Sequence, residues 1–381
     1  MERNVHCLNK ISPVGLKALP NNYKVVDTLD DKVSAILVRS AAMHEMELPK
    51  SVLCVARAGA GVNNIPLEKF AEKGIVVFNT PGANANAVKE LTIAMMLLAA
   101  RDLRGSMEWV KANKGDPEIN KTMEKAKAAY AGTEIMGKTL GVIGCGAIGA
   151  LVADAASKLG MRVLGVEPSA ATRERNASLL GNVKFVELDE LLKESDYITV
   201  HVPLLDATRG MLNEAAFNKM KDGVIIINAA RDALINDADL EVALKNGKVR
   251  KYVTDFPNAK TANMEGVVAI SHLGASTEEA EDNCAHMAAS QVVNFIENGN
   301  IVNSVNYPNL DLGTPHGIRV TVLFKNTPNA EEEISKVLKG AGVLKMAKGV
   351  KGNFGALIAD LEKEPSGLEL VSGVLKVHLI K

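Results

Sequence analysis

An arginine and a histidine each follow an apolar run of the kind that forms a buried strand. Arg231 comes three residues after the end of Val224–Asn228, and His272 comes directly after Val267–Ser271. The carboxyl ends of such strands border the crevice in which doubly wound sheets bind ligands. A guanidinium can hold a carboxylate through two hydrogen bonds, and a histidine can transfer a proton near neutral pH. Together they indicate acid–base chemistry on a carboxylate-bearing molecule, although either residue alone could be structural.

A glycine-rich segment marks a second place where chemistry is expected. Gly144-Cys145-Gly146-Ala147-Ile148-Gly149 follows the apolar run Thr139–Ile143 and opens a helical segment. Glycines there permit a tight turn and close approach of the backbone to a pyrophosphate, which the helix N-terminus attracts. Glu167 ends the next apolar run, where an acid binds the adenosine ribose and favours NAD over NADP. A purely structural glycine turn is the alternative, and Arg173 and Arg175 leave NADP open.

The elements that must position these residues are short apolar runs that alternate with helical segments. Their continuous apolar character predicts parallel strands buried on both faces, in two doubly wound domains. The predicted strands are Ala35–Val38, Val52–Ala56, Val76–Phe78, Thr139–Ile143, Arg162–Val166, Tyr197–His201, Val224–Asn228, Tyr252–Asp255 and Val267–Ser271. Lys111–Lys138 is predicted to be a polar helical arm, and Glu278–Gly299 a helix that returns the chain to the first domain.

The segment after Pro315 has a different pattern. Its predicted elements form a separate small α+β domain: strands Ile318–Phe324, Val343–Val350, Ala356–Glu362 and Gly373–Ile380, with a helix Ala330–Gly340. About 65 residues are marginal in isolation, so this domain is expected to lean on a neighbour or a partner.

Composition excludes several classes of protein. The chain has 381 residues, with 44 Lys and Arg against 45 Asp and Glu, so no global field favours nucleic acid or an anionic membrane. The longest apolar run, Leu91–Ala100, is about half of a membrane span. The four cysteines show no paired spacing, which argues against a metal site and favours a cytoplasmic protein with reduced thiols.

The motifs taken in order resemble the D-2-hydroxyacid dehydrogenase family from about Arg39 to Pro308. The resemblance is carried by Val38–Ala41, Arg57–Ile65, Val77–Asn84, Gly137–Gly144, His201–Leu204, Asn228–Arg231 and His272–Thr277. It implies a flavodoxin-like substrate-binding domain of residues 1–100 and 284–312, closing over a Rossmann NAD-binding domain of residues 101–283. Residues 315–381 look like a degenerate ACT domain, a βαββαβ regulatory module.

The resemblance also implies roles for individual residues. Arg231 would hold the substrate carboxylate and the C2 oxygen, and His272 would take the hydroxyl proton. The cofactor positions beside the glycine loop and Glu167 are Val202, Pro203, Thr208, Ala229, Ala230, Asp255, Gly274 and Ala275. The substrate positions are Arg57, Ala58, Gly59, Asn84, Arg39 and Lys89, whose positive charges favour a phosphorylated 2-hydroxy acid.

The chain departs from the family at two places. The family's third catalytic residue is a glutamate that hydrogen-bonds the histidine, and Lys260 stands at that position. We expect Lys260 to take part in the proton relay or in phosphate binding, with Glu265 as the other possible source of the acid. Lys89 replaces a small residue. In the ACT-like module, Phe324 stands where serine-binding members have a histidine, which argues against serine feedback.

The activity that the resemblance implies is the NAD-dependent oxidation of D-3-phosphoglycerate to 3-phosphohydroxypyruvate, the first step toward L-serine, by a homodimer packed through Trp109–Tyr130. One alternative is a glyoxylate or hydroxypyruvate reductase, or another 2-hydroxyacid dehydrogenase. A non-catalytic NAD-sensing scaffold is the alternative from a different class of protein. No nucleic acid, membrane or metal is expected as a partner.

Overall fold

The computed structural model describes residues 2–381, which separate into two compact units. One unit comprises the chain up to Asn84 together with Glu278–Lys381, and the other is Ala85–Thr277. The sequence placed these boundaries at residues 100 and 283 and set residues 315–381 apart. The difference has two causes: the helix after Asn84 packs into the core of the second unit, and the C-terminal strands share a core with the first.

Each strand predicted for the parallel sheets is present, with ends that differ by a few residues. The strands among the described residues are β1 (Arg3–Cys7), β2 (Tyr23–Val26), β3 (Val33–Val38), β4 (Cys54–Arg57), β5 (Val76–Phe78), β6 (Thr139–Ile143), β7 (Arg162–Val166), β8 (Val183–Phe185), β9 (Tyr197–Val200), β10 (Val224–Asn228), β11 (Val249–Thr254), β12 (Val267–Ala269), β13 (Ile318–Lys325), β14 (Val343–Lys351), β15 (Phe354–Leu361) and β16 (Val374–Ile380).

The helices lie between these strands in the alternating order that the sequence predicted. They are α1 (Pro13–Leu16), α2 (Leu67–Glu72), α3 (Ala85–Ala100), α4 (Leu103–Ala112), α5 (Ile119–Ala126), α6 (Ala147–Lys158), α7 (Ala170–Arg175), α8 (Ala177–Leu180), α9 (Leu188–Glu194), α10 (Glu214–Lys219), α11 (Asp237–Lys245), α12 (Glu278–Asn298) and α13 (Ala330–Lys339), with 3-10 turns at Lys127–Tyr130, Asp232–Leu234, Thr261–Asn263 and Leu368–Leu370. Among residues 2–381, no helix is long and apolar enough to cross a bilayer.

The first unit is built on a parallel sheet with strand order β2-β1-β3-β4-β5. The sequence did not predict β1 and β2, because Val5 and Tyr23 are the buried apolar residues in them and neither strand has a continuous apolar run. Helix α12 confirms the predicted returning helix. Its buried side chains, among them Ala285 and Val292, lie in one apolar cluster with residues of the sheet.

The C-terminal strands form an antiparallel sheet with order β14-β15-β13-β16. Alternate residues of β13 face opposite sides, since Val320 and Val322 pack in the cluster that includes α13 while Leu323 joins the core with α12. The buried Arg319 donates to the carboxylate of Asp360 at 2.6 and 2.9 Å and also to backbone carbonyls, including that of residue 298 at the end of α12. This sheet is therefore docked on its own chain.

The second unit contains a parallel sheet with order β12-β11-β10-β9-β6-β7-β8. The direction of the crossovers reverses between β6 and β9, which is where ligands bind in doubly wound sheets. Helix α3 packs in the same cluster as α6, through Met95, Met96 and Ala99, so it belongs to this unit. Two parallel sheets and one small antiparallel sheet confirm the predicted α/β fold class.

Candidate active site

The glycine loop joins β6 to α6 at the point where the crossovers reverse. Gly144 has a φ of +89°, which favours glycine, and a Cβ on Gly149 would lie 1.9 Å from the carbonyl oxygen of Gly144. A Cβ on Gly146, in contrast, would have no atom within 4 Å. Gly144 and Gly149 are thus needed for the turn and the close helix packing. Gly146 leaves open space at the N-terminus of α6, beside the exposed Ala147 and half-buried Ile148.

Glu167 lies just past β7 and reaches back to the glycine loop. One carboxylate oxygen accepts the N–H of Cys145 at 3.2 Å, and the other accepts the N–H of Ser169 at 3.0 Å. Each carboxylate oxygen has a second lone-pair direction, so ribose hydroxyls can still donate to it. The predicted ribose acid therefore also holds the loop that would bind the pyrophosphate.

The loops after β9 and β10 border the same edge of the sheet. In the β9 loop, which contains Val202, the hydroxyl of Thr208 donates to the carbonyl of Pro203 at 2.6 Å and accepts the N–H of Leu205 at 2.9 Å. Thr208 therefore braces this loop. In the β10 loop, Ala229 is buried and Ala230 half-buried.

Asp255, at the end of β11, has a buried oxygen without a partner. Its Oδ2 accepts the N–H of Gly274 at 3.0 Å, beside the half-buried Ala275, while Oδ1 has no hydrogen-bond partner in the described part of the chain. Burial raises the pKa of Asp255, although the Gly274 N–H, His272 and Arg231 act in the opposite direction. A buried orphan acceptor costs free energy unless a donor meets it. An amide N–H such as that of the nicotinamide carboxamide suits this oxygen, so these residues fit NAD.

The backbone of Arg231 is held in place by the side chain of Asn228. The side chain of Asn228, fully buried at the end of β10, accepts the N–H of Ala230 at 3.0 Å and of Arg231 at 3.3 Å. It donates to the carbonyl of Arg231 at 2.8 Å and to the hydroxyl of Tyr252 at 3.0 Å. Asn228 was not among the predicted site residues, yet it holds the backbone from which the Arg231 side chain extends, and Nη1 of that side chain donates to the carbonyl of Ala230 at 2.6 Å.

His272 is exposed, just past β12, and its ring contacts Phe256 with the two centroids 4.3 Å apart. The same Phe256 ring lies 5.1 Å from Cζ of Arg231. The structure thus places the two predicted catalytic residues at the carboxyl ends of β10 and β12, the two strands that flank β11. Phe256 was also missed from the sequence, because an aromatic residue after a strand is an ordinary core signal.

Lys260 and Glu265 do not lie at the carboxyl ends of the strands, where Arg231 and His272 lie. Lys260 is exposed, precedes the 3-10 turn Thr261–Asn263, and lines a surface cavity of ≈ 350 Å³ with Arg209, Asp232 and Asp237. Glu265 precedes β12, whereas His272 follows it. Glu265 therefore lies at the amino end of the parallel strands, and His272 lies at the carboxyl end. Glu265 is therefore not positioned to supply the acid.

The predicted substrate residues of the first unit lie where β3, β4 and β5 end. A Cβ on Gly59 would lie 2.3 Å from Nη1 of Arg57, so glycine there makes room for the guanidinium, beside the buried Ala58. Arg39 pairs with Glu281 of α12 at 2.6 Å, a partner that the sequence did not suggest.

The two remaining predicted substrate residues lie close to the point in the chain where one unit ends and the other begins. Asn84 is half-buried and is the last residue of the first unit before the chain enters the second. Lys89, on α3 of the second unit, lies 3.6 Å from Glu90, which partly offsets its charge.

Among the described residues, no group of three or more His, Cys, Asp or Glu is placed to hold a metal ion.

Residues 93–274 match the model of the D-isomer specific 2-hydroxyacid dehydrogenase NAD binding domain. This segment contains the glycine loop, Glu167, Arg231, Asp255 and His272. The part of the chain that carries these residues is thus an NAD-binding domain of this type.

Known proteins resemble the chain beyond this domain. It is 35% identical to D-3-phosphoglycerate dehydrogenase of Archaeoglobus fulgidus over 83% of its length, and spans 59% of that relative. It is 38% identical to hydroxypyruvate reductase of Thermotoga maritima, over 66% of this chain and 80% of that one. The NAD+-bound 3-phosphoglycerate dehydrogenase of Entamoeba histolytica has a TM-score of 0.63 at 26% identity, over 81% of this chain and all of that one. The chain belongs to the D-isomer specific 2-hydroxyacid dehydrogenase family.

Proposed function

We propose that the chain oxidises D-3-phosphoglycerate to 3-phosphohydroxypyruvate with NAD, the first step of the phosphorylated route to L-serine. The observation that carries the proposal is the contact of Arg231 and His272, at the ends of β10 and β12, with the Phe256 ring, which follows Asp255 and its orphan oxygen at the end of β11. The Archaeoglobus and Entamoeba relatives, both named for phosphoglycerate, support this choice of substrate.

The chemistry follows from what each side chain can do. NAD, when bound, supplies the acceptor for the hydride that leaves C2. Arg231 binds the substrate carboxylate through two N–H groups and polarises the C2 oxygen. His272 accepts the C2 hydroxyl proton on an imidazole nitrogen, and in the reducing direction it returns that proton to the oxygen. Equilibrium favours the hydroxy acid, so the reducing direction suits an assay.

Phosphate selectivity is assigned to the positive side chains of the substrate residues. Arg57 is proposed to bind the 3-phosphate with the backbone of Ala58 and Gly59, and Asn84, Arg39 and Lys89 are proposed to line the same pocket. An arginine presents a planar fork that matches phosphate oxygens. The Glu281 carboxylate beside Arg39 weakens its pull on a dianion, so Arg57 is expected to contribute most.

The second candidate function is reduction of hydroxypyruvate or glyoxylate. It is favoured by the Thermotoga hydroxypyruvate reductase, which this chain covers more fully than the Archaeoglobus relative. The reaction uses the same Arg231 and His272 but needs no phosphate pocket. A non-catalytic NAD sensor requires that these two residues be inactive.

The test is NADH oxidation with 3-phosphohydroxypyruvate, hydroxypyruvate and glyoxylate side by side. We expect kcat/KM to be about a hundredfold higher for the phosphorylated acid, roughly 2.7 kcal/mol of transition-state binding. Arg57→Gln should remove most of that preference while leaving glyoxylate reduction nearly unchanged. Equal use of the unphosphorylated acids would reject the substrate but keep the chemistry. Tight NADH binding without turnover of any acid would support the sensor.

Lys260 is retained as a proposed participant in the proton relay or in phosphate binding. It lines a surface cavity with Arg209, whose positive charge favours an anion, and with Asp232 and Asp237, whose negative charges oppose one. Lys260→Glu should alter the pH–rate profile if the side chain reaches His272, and raise KM for the phosphorylated acid if it binds phosphate. An unchanged profile and KM would reject both roles.

A homodimer is proposed through segments such as Trp109–Tyr130, in the part of the chain that forms α4 and α5. Helices α4 and α5 have no buried residues, and Met107, Val110 and Met123 on them are 69%, 49% and 45% exposed. Apolar side chains exposed on adjacent helices are typical of an association surface. Sedimentation should give a dimer for the native chain and a monomer for Val110→Glu. A native chain that sediments as a monomer would reject the proposed dimer.

The cytoplasmic location expected from the sequence stays a prediction.

A further inference from the structure

Phe256 contacts both side chains to which the proposed chemistry is assigned. Its ring centroid lies 5.1 Å from Cζ of Arg231 and 4.3 Å from the ring centroid of His272, with 44° between the ring planes. One aromatic ring therefore meets a guanidinium that leaves β10 and an imidazole that follows β12.

The position of Phe256 is itself determined by the ends of the sheet. Its N–H donates to the hydroxyl of Thr254 at 3.0 Å, and that hydroxyl donates to the carbonyl of Asn228 at 2.9 Å. Thr254 and Asn228 are both fully buried. Pro257 follows and restricts the backbone of Phe256 to extended conformations. Because Asn228 also fixes the backbone of Arg231, the ring and the guanidinium share one support.

An aromatic ring can orient these two partners in a way that an aliphatic side chain cannot. The negative face of the ring attracts a guanidinium within about 6 Å of its centroid. Aromatic rings in contact attract one another in a way that depends on the angle between their planes, and the Phe256 and His272 planes meet at 44°. Asp255, the preceding residue, interacts electrostatically with both Arg231 and His272, so charge and orientation come from adjacent positions.

We infer that Phe256 is a positioning residue that sets the orientation of both Arg231 and His272. The inference rests on the proposed function for its catalytic consequence, but the contact itself exists without substrate. Contact with one ring then holds the guanidinium and the imidazole in a fixed arrangement relative to each other.

The experiment compares Phe256→Leu with Phe256→Tyr, which keeps the ring. Phe185→Leu is the matched control, since its ring also lies close to an arginine of the second unit, 5.3 Å from Cζ of Arg173. Histidine-labelled protein gives proton resonances for the seven histidines, and His272→Gln identifies the one from His272. The ring current of Phe256 should displace this resonance from the position of an exposed histidine.

We expect Phe256→Leu to remove the displacement and to lower kcat/KM by about tenfold or more. Phe256→Tyr should restore both, and Phe185→Leu should leave the His272 resonance in place. Should Phe256→Leu not fold, Phe256→Met repeats the test with an unbranched side chain.

An unchanged resonance and an unchanged kcat/KM in Phe256→Leu would overturn the inference. So would a loss of activity that Phe256→Tyr does not restore. If the native chain turns over no 2-keto acid, the proposed function fails, while the resonance still decides whether Phe256 orients His272.

Discussion

Replacing Asn228 with alanine should damage both the stability of the second unit and the proposed catalysis. The Asn228 side chain is fully buried and makes four hydrogen bonds, three of them to the backbone of Ala230 and Arg231. The fourth is to the hydroxyl of Tyr252. Alanine removes all four and leaves the loop that carries Arg231 without its support.

The magnitude follows from these four bonds. A protein hydrogen bond contributes roughly 1 kcal/mol net, and a buried group left without a partner costs about 1–3 kcal/mol. Since the Arg231 loop is only half-buried, water can satisfy some of its groups. We therefore expect the free energy of unfolding to fall by about 2–4 kcal/mol. A displaced guanidinium should lower kcat/KM by roughly a hundredfold.

The assay is urea unfolding followed by circular dichroism, together with kinetics on 3-phosphohydroxypyruvate. Tyr252→Phe is the matched control, since it removes one of the four bonds and none to the Arg231 loop. It should cost about 1 kcal/mol and leave kcat/KM nearly unchanged. Native-like stability and activity in Asn228→Ala would refute the reasoning. An equal loss of activity in Tyr252→Phe would show that the loop bonds are not what matters.

Three further predictions follow from other parts of the molecule. Gly146→Ala should fold like the native chain but bind NADH weakly by fluorescence titration, whereas Gly181→Ala, also with no atom within 4 Å of its Cβ, should bind normally. Burial raises the pKa of Asp255, so the stability that the native chain has at acid pH is lost as pH rises through that pKa. Asp255→Asn cannot ionise, so it should resist urea better than the native chain at pH 8 but not at acid pH. The same variant should bind NADH less tightly. Arg319→Met, which strands the 1% exposed carboxylate of Asp360, should cost about 3–5 kcal/mol in urea unfolding, and adding Asp360→Leu should recover much of it.

Three of the predictions made from the sequence differ from the structure, each for a physical reason. Glu265 is near His272 in sequence, which made it a candidate for the acid. Sequence distance does not show at which end of the parallel strands a residue lies. Strand β1 went unpredicted because Val5 alone is fully buried there, between partly exposed neighbours. Helix α3 was assigned to the substrate domain by its position in the chain, but its methionines pack with α6.

The sequence by itself determined the parallel sheets, the glycine loop and the strand ends that carry Arg231 and His272. These are local signals, since continuous apolar runs and glycine turns are encoded in neighbouring residues. Only the tertiary structure decided that Phe256 contacts both residues, that Asn228 supports Arg231, and that Arg319 docks the C-terminal sheet on its own chain. The Phe256 and Arg319 contacts join elements distant in sequence, so they depend on strand order and packing that no local pattern specifies. The Asn228 bonds to the Arg231 loop are local, but the sequence does not show which way the buried amide points.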